Sequence, residues 1–233
     1  MKTENKTIKQ TSSFERQPLK LKICGMKHPE NILEVAALQP DYLGFIFYEK
    51  SSRFFNDLIP KLPKSIKKVG VFVNASVEHI VEKANIHELQ AIQLHGNETP
   101  EFIKELVAQM ERFFEQSLTI IKAFSIGDDF DFSVLQHFED CCNYYLFDTK
   151  GKLPGGNGYA FSWTILNNYP STKPYFLSGG IGLEEAELLN VFLKTEAAAY
   201  CYAIDLNSKF EIEAGRKDSK TLGVFKNKLI GSN

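Results

Sequence analysis

The chain has 233 residues, 43% of them hydrophobic and 24% charged, with a formal net charge of -2. This is an ordinary globular composition in a chain long enough to bury a large core. The near-neutral charge, without a basic stripe, weighs against nucleic acid as a partner, and no apolar run approaches a membrane span.

The first segment, Met1 to Gln17, is polar and lacks the apolar middle of a signal peptide. Residues 1–18 are therefore expected to form a flexible extension ahead of one domain over 19–233. From Leu19 short β-rich runs alternate with amphipathic stretches. The first strand is read over Leu19–Met26, and a helix follows near Pro29–Leu38, where Ile32, Leu33, Val35 and Ala36 cluster at helical spacing. Tyr42–Tyr48 is almost continuously apolar, as a strand buried on both faces must be. A helix is placed around Asp57–Leu62. Strands then follow at Lys68–Asn74, Ala91–His95, Thr119–Phe124, Tyr144–Thr149, Tyr175–Leu177 and Ala199–Leu206. Helices alternate with them at Val77–Ala84, Pro100–Phe114, Phe132–Phe138, Phe161–Asn167, Leu183–Leu193 and Thr221–Leu229.

Roughly eight βα units in one chain predict an α/β fold, a single-domain (β/α)8 TIM barrel with a parallel sheet closed on itself. In such a barrel the chemistry lies where the strands end, in the βα loops. The strand ends carry Cys24, the Arg53 loop, Asn74, His95, Lys122 or Ser125, Asp148, the Ser178-Gly179-Gly180 loop, and Asp205 to Ser208. By position alone, Cys24 reads as a core cysteine or a catalyst. Asp148 reads as a loop-stabilising carboxylate or as a group put to use. Arg53 is a surface charge or a two-pronged carboxylate clamp. His95 is a hydrogen-bonded structural histidine or part of the pocket.

Ser178-Gly179-Gly180-Ile181-Gly182 precedes a predicted helix, so its amides can face an anion. Barrels commonly hold phosphate in the loops after strands seven and eight, and Asn207-Ser208-Lys209 would supply the second half. The glycine-rich stretch Gly151–Gly158 is a candidate for closing over a ligand. The five histidines show no metal-ligand spacing, and no nucleotide-binding glycine motif is present. Four cysteines without disulfide spacing suit a reducing cytoplasm.

The ordered motifs KICGM at 22–26, DYLGFIF at 41–47 with SSRFF at 51–55, VGVFVN at 69–74, IQLHGNE at 92–98, LFDT at 146–149, GGNG at 155–158 and FLSGGI at 176–181 resemble the phosphoribosylanthranilate isomerase family of tryptophan biosynthesis. Asp205, Ser208, Gly215 and Lys217-Asp218 extend the resemblance over nearly all of Leu19 to Leu229.

The resemblance implies an Amadori rearrangement of N-(5-phosphoribosyl)anthranilate to 1-(2-carboxyphenylamino)-1-deoxyribulose 5-phosphate, without a cofactor. It implies Cys24 as general base, Asp148 as general acid and Arg53 on the anthranilate carboxylate. Gly179, Gly180 and Ser208 would hold the phosphate, with His95 and Asp205 among the substrate-binding residues. The only partner implied is the small phosphosugar substrate, acted on by a cytoplasmic monomer or homodimer, with neither nucleic acid nor membrane.

Departures from the family pattern stand at Asn157, at Ser162 and at Lys209, within NSKFE after the last strand. Two alternatives are a histidine-pathway sugar isomerase, which would carry Asp where Cys24 stands, and a non-catalytic barrel that binds a phosphorylated ligand.

Overall fold

The computed structural model describes residues 18–149 and 163–230. The expected N-terminal extension and the glycine-rich segment 151–158 lie outside them. Eight parallel strands close into a barrel in chain order. They are β1 (Lys20–Ile23), β2 (Tyr42–Ile46), β3 (Lys67–Phe72), β4 (Ala91–Leu94), β5 (Thr119–Ile126), β6 (Tyr144–Thr149), β7 (Tyr175–Ser178) and β8 (Cys201–Leu206). β8 closes the ring against β1, with Lys22 opposite Asp205.

Successive side chains on a strand point to opposite faces, and that alternation sorts the core. On β6, Tyr145 and Phe147 join the large core beneath the helices, while Tyr144 and Leu146 face the barrel axis. The axial core is small, built on Tyr42, Val69, Ala91, Ile121, Ala123, Leu146, Phe176 and Ala203. Where the strands begin, aromatic rings form a floor. Phe176 meets Tyr42 at 5.5 Å and Tyr144 at 5.4 Å, and the Tyr42 and Tyr202 hydroxyls share a 2.9 Å hydrogen bond.

The outer layer contains helices α1 (Pro29–Ala36), α2 (Val77–His87), α3 (Pro100–Phe113), α4 (Ala186–Phe192) and α5 (Ser219–Ile230). Local chemistry fixes two of their starts. The Ser76 and Thr99 hydroxyls accept the His79 and Phe102 amide hydrogens at 3.2 and 3.3 Å, and Pro100 supplies a first-turn residue that needs no amide partner.

Several expected elements differ. No helix forms over 57–62. Pro60 and Pro63 each push the preceding residue out of helical backbone, so the segment carries no regular structure. A cleft of about 270 Å³ lies beside it, lined by Phe47, Phe55, Leu58, Ile86 and His87. The segments Phe132–Phe138 and Trp163–Asn168 are 3-10 rather than α-helical. The helix expected from Leu183 begins at Ala186. After β8, a short antiparallel ribbon of β9 (Glu211–Glu213) and β10 (Arg216–Lys217) turns at Gly215, whose φ is 90°.

Candidate active site

Cys24 directly follows β1, and its amide donates to the Leu206 carbonyl of β8 at 2.8 Å. It shares the inner face of the barrel with Lys22, two residues earlier. Gly44 of β2 makes room for it, since a Cβ there would stand 2.8 Å from the thiol sulfur. The thiol is buried, and that burial pushes its pKa up; the Lys22 and Lys217 ammoniums oppose the rise, Asp205 adds to it, and the thiol stays above its ordinary value.

Beneath and beside this thiol lies a set of buried charges. Lys22 donates to Asp205 Oδ1 at 2.9 Å, and neither side chain reaches solvent to more than 4%. Lys217 donates to Asn207 Oδ1 and Glu211 Oε1, both at 2.7 Å. Arg53 grips the same Glu211 with two parallel hydrogen bonds, of 2.8 and 2.6 Å. Burial opposes ionisation of Glu211, but Arg53 and Lys217 overcome it and hold the carboxyl at about 2.

This last shift has a consequence for stability. A carboxyl depressed below its ordinary value near 4.5 contributes stability that is present above that value and is lost as pH falls toward about 2. Glu211→Gln is therefore expected to flatten the acid limb of a stability-versus-pH curve in that window. An unchanged limb would show that the ribbon's ion pairs contribute nothing there.

Asp148 lies on β6, in register between Ser125 of β5 and Ser178 of β7. Its side chain is one-third exposed, and His95 Nε2 stands 3.5 Å from its Oδ2. Gln93, two residues before His95 on the same inner face, donates its amide N–H to His95 Nδ1 at 3.0 Å. The Gln93 side-chain oxygen, Oε1, is buried with no hydrogen-bond partner among the described residues.

The loops after β7 and β8 meet. Gly179 and Gly180 take φ values of 98° and 64°, which favour glycine. A Cβ on Gly179 would collide with the backbone and hydroxyl of Thr149. That hydroxyl donates to the Ser178 carbonyl at 2.8 Å. At Gly182 a Cβ would come within 3.1 Å of Lys209 Cβ, so the glycine loop touches the short 3-10 turn Ser208–Phe210. The Gly182 amide donates to Glu185 at 2.8 Å, so this amide is already occupied by a carboxylate of the chain itself.

Cys24, Arg53, His95, Asp148, Gly179, Gly180 and Ser208 all lie at the end of the barrel where the strands finish. Asp205 differs: it is directed beneath the mouth and committed to Lys22. Arg53 does clamp a carboxylate, but the one it holds here belongs to Glu211. Lys122 points to the helix layer, in a buried ion pair with Glu98 at 3.0 Å. Sequence reading gave no role to Lys22, Gln93 or Glu211, and it placed Asn207 only in the phosphate loop. The period of two along β1 and β4, counted back from Cys24 and His95, would have found the first two.

An inward thiol and an inward carboxyl at the mouth of a closed parallel barrel, with two small-residue loops between them, define a (β/α)8-barrel enzyme. The chain belongs to the N-(5'phosphoribosyl)anthranilate (PRA) isomerase family, whose model matches residues 21–228. It is 42% identical over 220 residues to the N-(5'-phosphoribosyl)anthranilate isomerase of Parabacteroides distasonis, covering 90% of this chain and 93% of that one. The isomerase of Phocaeicola vulgatus is 39% identical over 209 residues, covering 90% and 97%. Among solved structures, the isomerase of Thermotoga maritima superposes with a TM-score of 0.75 at 28% identity, covering 91% of this chain and 99% of that one. A second, 26% identical with a TM-score of 0.73 and the same coverage, holds reduced 1-(o-carboxyphenylamino)-1-deoxyribulose 5-phosphate.

Proposed function

We propose that this chain rearranges N-(5'-phosphoribosyl)anthranilate to 1-(2-carboxyphenylamino)-1-deoxyribulose 5-phosphate in tryptophan biosynthesis. The observation that carries the reading is the order of groups round the mouth. β6 and β1 are three places apart in the ring, and the strands between them, β7 and β8, end in the glycine loop and the Ser208 turn. A sugar phosphate anchored over those two loops would have Asp148 on one side and Cys24 on the other.

In this reading Asp148 protonates the furanose ring oxygen, the ring opens, and the nitrogen lone pair forms an iminium bond to C1. The Cys24 thiolate removes the C2 proton, and the electron pair flows into the iminium to give an enolamine. Ketonisation moves the thiol proton of Cys24 to C1 and returns the C2 hydroxyl proton to the Asp148 carboxylate, so both groups are restored. Substrate and product are isomers, so the rearrangement needs no external oxidant or reductant. Gly179, Gly180 and Ser208 offer backbone amides to the phosphate, and His95 and Arg53 line the rest of the pocket.

Arg53→Ala is expected to weaken binding of anthranilate-bearing ligands by about tenfold or more, an ordinary loss for a charged hydrogen-bond partner. Calorimetry with the reduced product analogue reads this directly, and unchanged affinity would remove Arg53 from the carboxylate site. Cys24, Cys141, Cys142 and Cys201 form no disulfide among the described residues, which supports a cytoplasmic setting. No helix among the described residues is long and apolar enough to cross a membrane. Monomers have been generated from the dimeric Thermotoga maritima isomerase, and we expect a monomer or homodimer here. The decisive test is growth: the gene should restore a tryptophan auxotroph lacking this isomerase, and failure with soluble protein present would overturn the reading.

A further inference from the structure

The mechanism above uses neither Lys22 nor Lys217, yet both are buried close to Cys24: Lys22 is two residues earlier on the same inner face, and Lys217 is hydrogen-bonded to Asn207 Oδ1, which would lie 2.8 Å from a Cβ on the adjacent Gly25. We propose that Lys22 and Lys217 are positioning residues that supply the counter-charge for the Cys24 thiolate. This deepens the proposed function, because it rests on Cys24 being the base.

The argument is one of charge balance in a closed space. The groups that act on Cys24 come from several elements: Lys22 on β1, Asp205 on β8, Lys217 on β10 and Arg53 in the loop after β2. Glu211 on β9 completes the set through Arg53 and Lys217. His95 and Asp148 reach it at Asp205. Lys22 and Asp205 form one matched pair. Glu211, by contrast, serves two cations, Arg53 and Lys217. Within the hydrogen-bonded set three cations face two carboxylates, one positive charge in excess; Asp148, the proton donor of the proposed reaction, acts on it only through Asp205.

An unbalanced charge away from water is costly. The thiol at the centre removes the imbalance by losing its proton, and Glu211 counters the burial that pushes the Lys217 ammonium's pKa down. Lys22 is placed for this role: an ammonium has three donors, Asp205 takes one, and Cys24 stands next along the same inner face. Burial alone would keep Cys24 protonated, so the two lysines oppose that burial. Lys217 is held rigidly for its share, between Asn207 and Glu211 with no exposed side chain.

The test uses the full chain in two variants. Lys217→Met leaves Glu211 paired with Arg53. The double variant Lys22→Met with Asp205→Asn removes a matched pair, so no lone buried charge is left to unfold the barrel. Two profiles are measured across pH: iodoacetamide alkylation of Cys24, followed by mass spectrometry of its peptide, and kcat/KM.

Lys217→Met removes a cation without its carboxylate, so both the alkylation midpoint and the acid limb of kcat/KM should move to higher pH; the double variant also removes the Asp205 charge that disfavours the thiolate and should move them less. A shift of about 1–3 pH units is expected for an opposite charge lost at contact range, with rates converging on those of the parent protein at the alkaline end. Midpoints that stay in place while kcat falls equally at every pH would overturn the proposal, because loss of packing acts in that way. Cys24→Ala separates the two readings. If it keeps turnover, the base assignment fails whatever the midpoints do. If it abolishes turnover and the midpoints have not moved, the lysine proposal alone fails.

Discussion

Asp148→Asn is expected to lower turnover by on the order of 10²-fold or more, with little change in ligand affinity. Asparagine matches the volume of the aspartate and can occupy the same place between Ser125 and Ser178, beside His95. What it cannot do is hand a proton to a ring oxygen. The loss therefore falls on the chemical step. Two measurements check this: steady-state kinetics with the phosphoribosyl substrate, and binding of the unreactive reduced product analogue. Near-normal turnover would remove Asp148 as the acid. Turnover and affinity lost in equal measure would make it a binding group instead.

Gly179→Ala is expected to be the most damaging change in the proposed phosphate loops. The backbone at Gly179 has φ of 98°, and a methyl group there meets the Thr149 backbone and hydroxyl. Forcing an L side chain into that region costs about 1–3 kcal/mol before any clash. In a domain of this size, that amounts to roughly 2–12 °C in Tm. Relief of the clash must move either the loop after β7 or the end of β6, the strand that carries Asp148. Both Tm and affinity for phosphorylated ligands should fall. Gly180→Asn supplies the contrast: nothing lies within 4 Å of a Cβ at Gly180, and asparagine tolerates positive φ. Equal stability of the two variants would refute the steric argument.

The barrel was legible in the sequence because its strands are short, nearly all apolar and evenly spaced. Tyr42–Ile46 and Tyr144–Thr149 could hardly be anything but strands buried on both faces. The strand-end rule then brought Cys24, His95 and Asp148 to one mouth. What stayed hidden depends on contacts distant in sequence. Nothing local to Arg53 announces Glu211, 158 residues away. Asp205 reads as a mouth residue until its register opposite Lys22 is known. The absent helix over 57–62 is a different failure: its apolar spacing suggests a helix, but Pro60 and Pro63 override the pattern. The ribbon β9–β10 was missed because strands of three and two residues carry too little periodicity to read.

The aromatic floor has a consequence for proton traffic. Tyr42, Tyr144, Phe176 and Tyr202 stopper the end of the barrel opposite the mouth, and the Lys22–Asp205 pair sits between that plug and Cys24. On the proposed function, a substrate seated at the mouth would close the open end. A hydrogen taken from C2 by Cys24 would then have no way out through the floor, and a deuterium label at C2 is expected to survive in part into C1 of the product.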